Sequence, residues 1–197
     1  MYKIDFNNPI HIHFIGIGGI SMSGLAKILL SEGFTVSGSD SHSSALTDEL
    51  TGDGCLVSVP QSAGNITNDI DLVVYTAAIH PDNPEFKAAK EAGLPMLTRA
   101  ELLGQIMTMY KNAINIAGTH GKTTTTSMVS EILLAANMDP TISVGGILNS
   151  IGGNTRVGGN KYFVAEACEY TNSFLSFNPT MNLSLIHISE PTRQAEI

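Results

Sequence analysis

A β-rich run from Ala113 to Ala117 leads without a linker into Gly118-Thr119-His120-Gly121-Lys122-Thr123-Thr124, and a long helical stretch to Ala136 follows. A strand running into a glycine turn, with lysine and threonine opening the next helix, is the context a phosphate-binding P-loop requires. Backbone N–H groups from Gly118 to Thr123 can wrap a phosphate. Lys122 supplies a point charge for the β- and γ-phosphates of a nucleotide, and the Thr123 hydroxyl can reach a magnesium ion. The common form of the loop has a glycine where Ile116 stands, so this one reads as a shortened variant beginning at Gly118. Such a unit belongs to an α/β protein with a parallel sheet.

The same design occurs earlier in the chain. His11 to Ile17 reads as a strand that breaks at Gly18-Gly19 and passes into a helix with Met22, Leu25, Ile28 and Leu29 on one face. Gly33 ends that helix, and Thr35 to Ser39 forms a second strand ending at Asp40. A short helix over Ser43–Leu50, a weak strand over Leu56–Val59 and a strand over Leu72–Tyr75 follow. Helices over Pro84–Ala92 and from Arg99 to about Tyr110 then lead into the second cycle. A later strand, Tyr162–Ala165, ends at Glu166, and the glycine-rich stretch from Gly145 to Asn154 reads as loops.

The first turn is Gly16-Ile17-Gly18-Gly19-Ile20-Ser21. Glycines there let a diphosphate approach the backbone, and the next helix points its free N–H groups at the anion. Asp40, 22 residues after Gly18, stands where an acidic side chain can accept from a ribose hydroxyl. A dinucleotide fingerprint wants glycine where Ser21 stands, so on its own this turn is weak evidence, and a purely structural turn is the lesser alternative. Glu166 falls where a second magnesium ligand belongs, at the carboxyl end of a strand beside the P-loop strand, and Glu169 is a weaker candidate. A solvated glutamate at a strand end reads equally well. His11 and His13 share one face of a strand, but no third ligand is near in sequence, so a polar strand start is preferred to a metal pair. His80 and His120 sit in loops where ligands bind in such folds, and His120 is expected to contact nucleotide or substrate.

Composition narrows the classes further. With 43 % hydrophobic residues a packed core can form, and a formal net charge of −8 argues against nucleic-acid or anionic-membrane partners. Anions must then be held by helix N-termini and backbone amides. Two cysteines, Cys55 and Cys168, make no disulfide framework. No apolar run long enough to span a bilayer and no signal-peptide pattern is visible, so a cytoplasmic protein without membrane insertion is expected.

Together these pieces resemble the Mur ligases. The resemblance rests on H-F-I-G-I-G-G-I-S-M-S-G-L-A from His13, S-G-S-D ending at Asp40, Y-T-A-A-I-H-P-D-N-P-E over Tyr75–Glu85 and T-R-A-E-L-L over Thr98–Leu103. It continues through A-G-T-H-G-K-T-T-T over Ala117–Thr125 and V-A-E-A-C-E-Y over Val164–Tyr170, and the shortened loop is itself typical of the family. The resemblance implies a Rossmann-like UDP-sugar-binding domain over residues 1–107, followed by the start of a P-loop ATPase-type α/β domain over 108–182. Gly16, Gly18, Gly19 and Ser21 would lie near the diphosphate, with Asp40, Ala78, Ile79 and His80 near the nucleoside. Gly118, Thr119, His120, Gly121, Lys122, Thr123 and Thr124 would hold ATP, Lys122 would be catalytic, and Thr123 and Glu166 would bind Mg2+. The implied reaction joins L-alanine to UDP-N-acetylmuramate through an acyl phosphate, in peptidoglycan precursor synthesis.

The chain also departs from the family. Members are more than twice as long and end in a third domain, and after about Asn182 an expected strand and aspartate–histidine pair do not appear. Residues 183–197 are therefore read as a possibly non-native tail, His187 as no substitute for the missing pair, and the fragment as inactive alone. Three alternatives stay open: a related ligase adding a peptide to the same sugar nucleotide, a non-catalytic UDP-sugar-binding module, and an NAD-dependent oxidoreductase that would leave the P-loop unused.

Overall fold

β1 (His11–Ile15) is buried at every residue, as a strand is in the middle of a parallel sheet covered on both faces. In the computed structural model, which describes residues 2–167 and 175–185, it pairs in parallel with β2 (Thr35–Ser39) and β4 (Leu72–Tyr75). β3 (Leu56–Ser58) and β5 (Met96–Thr98) complete an all-parallel sheet of order β3-β2-β1-β4-β5. The crossovers carry α1 (Ile20–Ser31), α2 (Ala45–Gly52) and α3 (Pro84–Glu91), and α4 (Arg99–Met107) follows β5. α1 buries the expected Met22, Leu25, Ile28 and Leu29.

Three of these helices begin where their side chains satisfy orphan amides. Ser44 and Thr47 form a capping box at α2, as do Thr98 and Glu101 at α4. At α3, Asn83 accepts from the amides of Glu85 and Phe86, and Pro84 occupies the first turn.

The second sheet has the order β10-β6-β9-β7-β8. It is built from β6 (Asn112–Ala117), β7 (Thr141–Leu148), β8 (Gly153–Arg156), β9 (Tyr162–Glu166) and β10 (Met181–Ser184), with α5 (Lys122–Ala135) between β6 and β7. All pairings are parallel except the β7–β8 hairpin. The loop reading of Gly145–Asn154 is corrected here: residues 145–148 belong to β7 and 153–154 to β8, joined by a short 3-10 turn. The glycine at 145 serves a close approach, since a Cβ there would lie 2.8 Å from Glu166 Oε2. β10 runs across position 182/183, pairing Leu183 with Ile116.

One apolar cluster joins both sheets. It runs from Ile12, Phe14 and Leu25 through Leu102, Leu103, Ile106 and Met107 of α4 to Ala113, Phe163 and Phe177. Tyr110 and Phe163 stack with ring centres 5.0 Å apart. The segment at 175–178 lies against α4, where Asn178 Nδ2 donates to the Gly104 carbonyl at 3.2 Å. α1 packs against β7 and β8, and Asn154 Nδ2 donates to Ile20 O at 3.0 Å. α5 is different: it buries only Thr126 and Ser130, while Met128 and Ile132 are 59 % and 67 % exposed. Met128 and Ile132 thus face away from the sheet, while Leu134 packs against Ile142, Val144 and Leu148. Among the described residues, no helix is long and apolar enough to cross a membrane.

Candidate functional site

In the first sheet the chain leaves β1 toward β2 on one side and later returns to β4 on the other. The carboxyl ends of β1 and β4 therefore flank the point where strand order reverses, the place where open parallel sheets bind ligands. A cavity of about 580 Å3 opens there, within the ordinary range for small-molecule sites. Gly16 and Gly19 line one side, Asp40 another, and Ala78, Ile79 and His80 a third. Gly16 turns the chain at φ +84°, a left-handed conformation costly for other residues. α1 has no side-chain cap at its N-terminus, so its first amides remain available to an anion.

Two of the residues expected at this site have partners within the fold. Gly18 does not line the cavity; its N–H donates to Asp40 Oδ2 at 2.9 Å. Ser21 also lies outside the lining, and its Oγ accepts from Arg99 Nη1 at 3.0 Å. Asp40, read as a free ribose acceptor, already receives Gly18 N and, through Oδ1, Ser41 N at 2.7 Å. A carboxylate has about four acceptor positions, so it keeps capacity for a ligand hydroxyl while bracing the turn. Ser41, Gln61, Thr76, Asp82, Asn83 and Pro84 also line the cavity and were not singled out from sequence. Only Asn83-Pro84 carried a local signal, that of a helix start. Arg99, which sets a cation beside the first turn, stood in sequence only as part of T-R-A-E.

At the second turn, Gly121 adopts φ +82° and α5 starts at Lys122 without a side-chain cap. Lys122 Nζ folds back onto the carbonyl of Gly118. Thr119, His120 and Thr124 are exposed around the loop mouth. Thr123 Oγ1 lies 3.2 Å from Glu166 Oε2, and Glu166 Oε1 accepts from Gly145 N at 2.8 Å. The two oxygen groups read from sequence as magnesium ligands thus meet from a helix start and a strand end. Two hard oxygen donors beside a phosphate loop suit Mg2+, which binds one or two protein oxygens and keeps water and phosphate oxygens as its remaining ligands. Among the described residues there is no cluster of three or more His, Cys, Asp or Glu side chains, so nothing there competes as an all-protein metal cage. Glu169, Cys168 and His187 lie outside the described residues.

The β1 histidines do not form a metal pair. His11 Nε2 and His13 Nδ1 each lie 2.8 Å from Ser37 Oγ, and His11 Nδ1 lies 3.0 Å from Asp69 Oδ2. Instead of a polar strand start, both are buried in the sheet face within a hydrogen-bonded chain.

A switch-point cavity on one sheet and a strand–glycine turn–helix unit with its Thr123–Glu166 oxygen pair on the next define a two-site protein of the α/β class. Residues 11–111 match the family described as Mur ligase family, catalytic domain, and the chain belongs to that family. It is 95 % identical over 185 residues to the UDP-N-acetylmuramate–L-alanine ligase of Lachnospira eligens, covering 94 % of this chain and 40 % of that protein. It therefore spans about 40 % of the length of the curated relatives it matches. Among solved structures, the UDP-N-acetylmuramate–alanine ligase of Thermotoga maritima superposes with a TM-score of 0.78 at 36 % identity, over 89 % of this chain and 41 % of that one. The UDP-N-acetylmuramate:L-alanyl-γ-D-glutamyl-meso-diaminopimelate ligase of Neisseria meningitides gives 0.80 at 29 % identity, over 89 % and 60 %.

Proposed function

We propose that this chain is the front portion of an ATP-dependent ligase that joins L-alanine to UDP-N-acetylmuramate. The observation that carries the reading is the pairing of a switch-point cavity on the first sheet with a P-loop whose Thr123 meets Glu166 on the second. In this reading the α1 N-terminus and the Gly16–Gly19 turn hold the diphosphate of the sugar nucleotide, and the Ala78–His80 wall holds its nucleoside. Gly118 to Thr124 wrap the phosphates of ATP, and Lys122 leaves the Gly118 carbonyl for the β- and γ-phosphates. A carboxylate oxygen of the sugar nucleotide attacks the γ-phosphorus and ADP departs; the alanine nitrogen then displaces phosphate, forming the amide and releasing a proton. Carboxylate and triphosphate repel, so a fixed cation at Lys122 acts where charge develops on the transferred group. Thr123 and Glu166 would hold Mg2+, which supplies further positive charge to the phosphate oxygens.

The acceptor is the finer part of the proposal. Fold likeness is as high to a peptide-adding ligase as to an alanine-adding one, whereas identity favours alanine. Comparing alanine with a tripeptide acceptor in the full-length enzyme decides between them. Soluble substrates of this kind fit a cytoplasmic enzyme. The front half is tested by calorimetric titration of the 197-residue chain with UDP-N-acetylmuramate and, as a control, NAD. Binding of the sugar nucleotide alone is expected; binding of NAD alone, or of neither by a folded chain, overturns the uridine assignment.

A further inference from the structure

The walls of the switch-point cavity come from four separate segments, and one side chain behind them ties three of these together. Glu85, the second residue of α3, is fully buried. Its carboxylate accepts from Ser39 Oγ, from Ser62 N at 3.1 Å and from Asn65 Nδ2 at 2.6 Å. Ser39 immediately precedes the cavity residue Asp40, Ser62 follows Gln61, and Glu85 itself follows Asn83-Pro84. Asn83 closes the ring: its Oδ1 accepts from Glu85 N at 2.9 Å, and its Nδ2 donates to Gln61 Oε1 at 2.8 Å.

We infer that Glu85 is a positioning residue for nucleotide recognition, setting the spacing of the Asp40, Gln61 and Asn83 walls and through it the affinity of the cavity. The inference rests on the uridine reading above for the identity of the ligand, but not for the mechanical role. Filling volume alone does not call for a carboxylate, because taking one out of water is costly and an apolar side chain would pack as well. Here the charge has partners beside the Asp40 and Gln61 walls, and His13 Nε2 lies 3.7 Å away on β1. Burial pushes the Glu85 carboxyl up, but His13, Ser39 and Asn65 together outweigh it and hold the group below its usual range. An ionised carboxylate on the Asn83 segment accepts from donors on the other two at once; a neutral side chain cannot present only acceptors to them.

Glu85→Gln keeps shape and removes that property, and Glu85→Ala removes the link altogether. The test titrates the 197-residue chain and both variants with UDP by calorimetry and follows backbone hydrogen exchange by mass spectrometry. Glu85→Gln is expected to remain folded, to bind UDP at least tenfold more weakly, and to exchange faster only around residues 39–41, 60–66 and 81–86. Unchanged exchange in those segments, or acceleration spread equally to the P-loop helix at 122–135, overturns the positioning role. If Glu85→Ala fails to fold, the glutamine variant alone carries the comparison. If the wild-type chain binds no uridine nucleotide, the ligand assignment falls, and the exchange pattern alone decides for or against Glu85.

Discussion

Gly104 sits inside α4 with its carbonyl bonded to Asn178, and Gly104→Ala sets two opposing effects against each other. Alanine is the better helix former by about 1 kcal/mol, so propensity alone makes the variant more stable. The added Cβ, however, would overlap the carbonyl oxygen of Ser176 and come within 2.8 Å of its carbon and 3.3 Å of Phe177 Cα. These are backbone atoms, so no flexible side-chain tip can yield. The segment must retreat, giving up most of the burial of Phe177, which is 8 % exposed and contributes about 1.5–3 kcal/mol. The Asn178–Gly104 hydrogen bond, about 0.5–1.5 kcal/mol, goes with it. Loss exceeds gain, and the net expectation is a destabilisation of about 1–3 kcal/mol, in the range of overpacked cores. For a chain of this size that lowers Tm by roughly 2–4 °C per kcal/mol. Urea unfolding of the 197-residue chain followed by far-ultraviolet circular dichroism measures it. A variant as stable as the parent, or more so, would refute the docking of residues 175–178 on α4.

In the full-length enzyme, Lys122→Ala is expected to reduce phosphoryl transfer at least 100-fold, the order seen when a charge-stabilising donor is removed; near-normal ADP release under saturating substrates contradicts its assigned role. Glu166→Gln should raise the Mg2+ concentration needed for half-maximal ATP binding while leaving UDP binding unchanged, and an unaltered metal requirement removes Glu166 from the site. Burial pushes the Cys55 thiol up to about 12, so iodoacetamide at pH 8 should label it only after unfolding, as read by peptide mass spectrometry. Because Glu85 is held below the usual carboxylate range near ~4.3, its contribution to stability is present above that value and is lost as the pH falls through its own lower one. The urea midpoint of the parent should therefore drop further between pH 6 and pH 3 than that of Glu85→Gln, and parallel curves count against the buried charge.

Much of the fold is legible wherever local pattern and tertiary role coincide. The turns at Gly16 and Gly121 need left-handed backbone, so glycine there announces a strand-to-helix junction. The glycine at 145 misleads because it is small for a different reason: it lets a carboxylate from the neighbouring strand approach β7. β5 covers three residues, too few to show a period. Thr123 and Glu166 can be paired from sequence because one opens the helix after a strand and the other closes a strand of the same sheet. Glu85 could not, since its partners lie 20 to 46 residues earlier along the chain and on separate elements, and only folding makes them one cluster. The resemblance places Ser21 near a diphosphate, and only the fold shows that a cation on α4, distant in sequence, donates to its hydroxyl.

The β7–β8 hairpin touches Glu166 through Gly145 and the start of α1 through Asn154. One continuous piece of backbone thus spans from the oxygen pair beside the P-loop to the opening turn of the helix at the other site. Gly145 and Asn154 lie on facing strands of the β7–β8 ladder, which sit about 4.7–4.9 Å apart, so the hairpin carries both contacts as one unit. The Glu166 carboxylate and the first turn of α1 therefore rest on one shared support, and neither can shift without strain passing through the hairpin to the other.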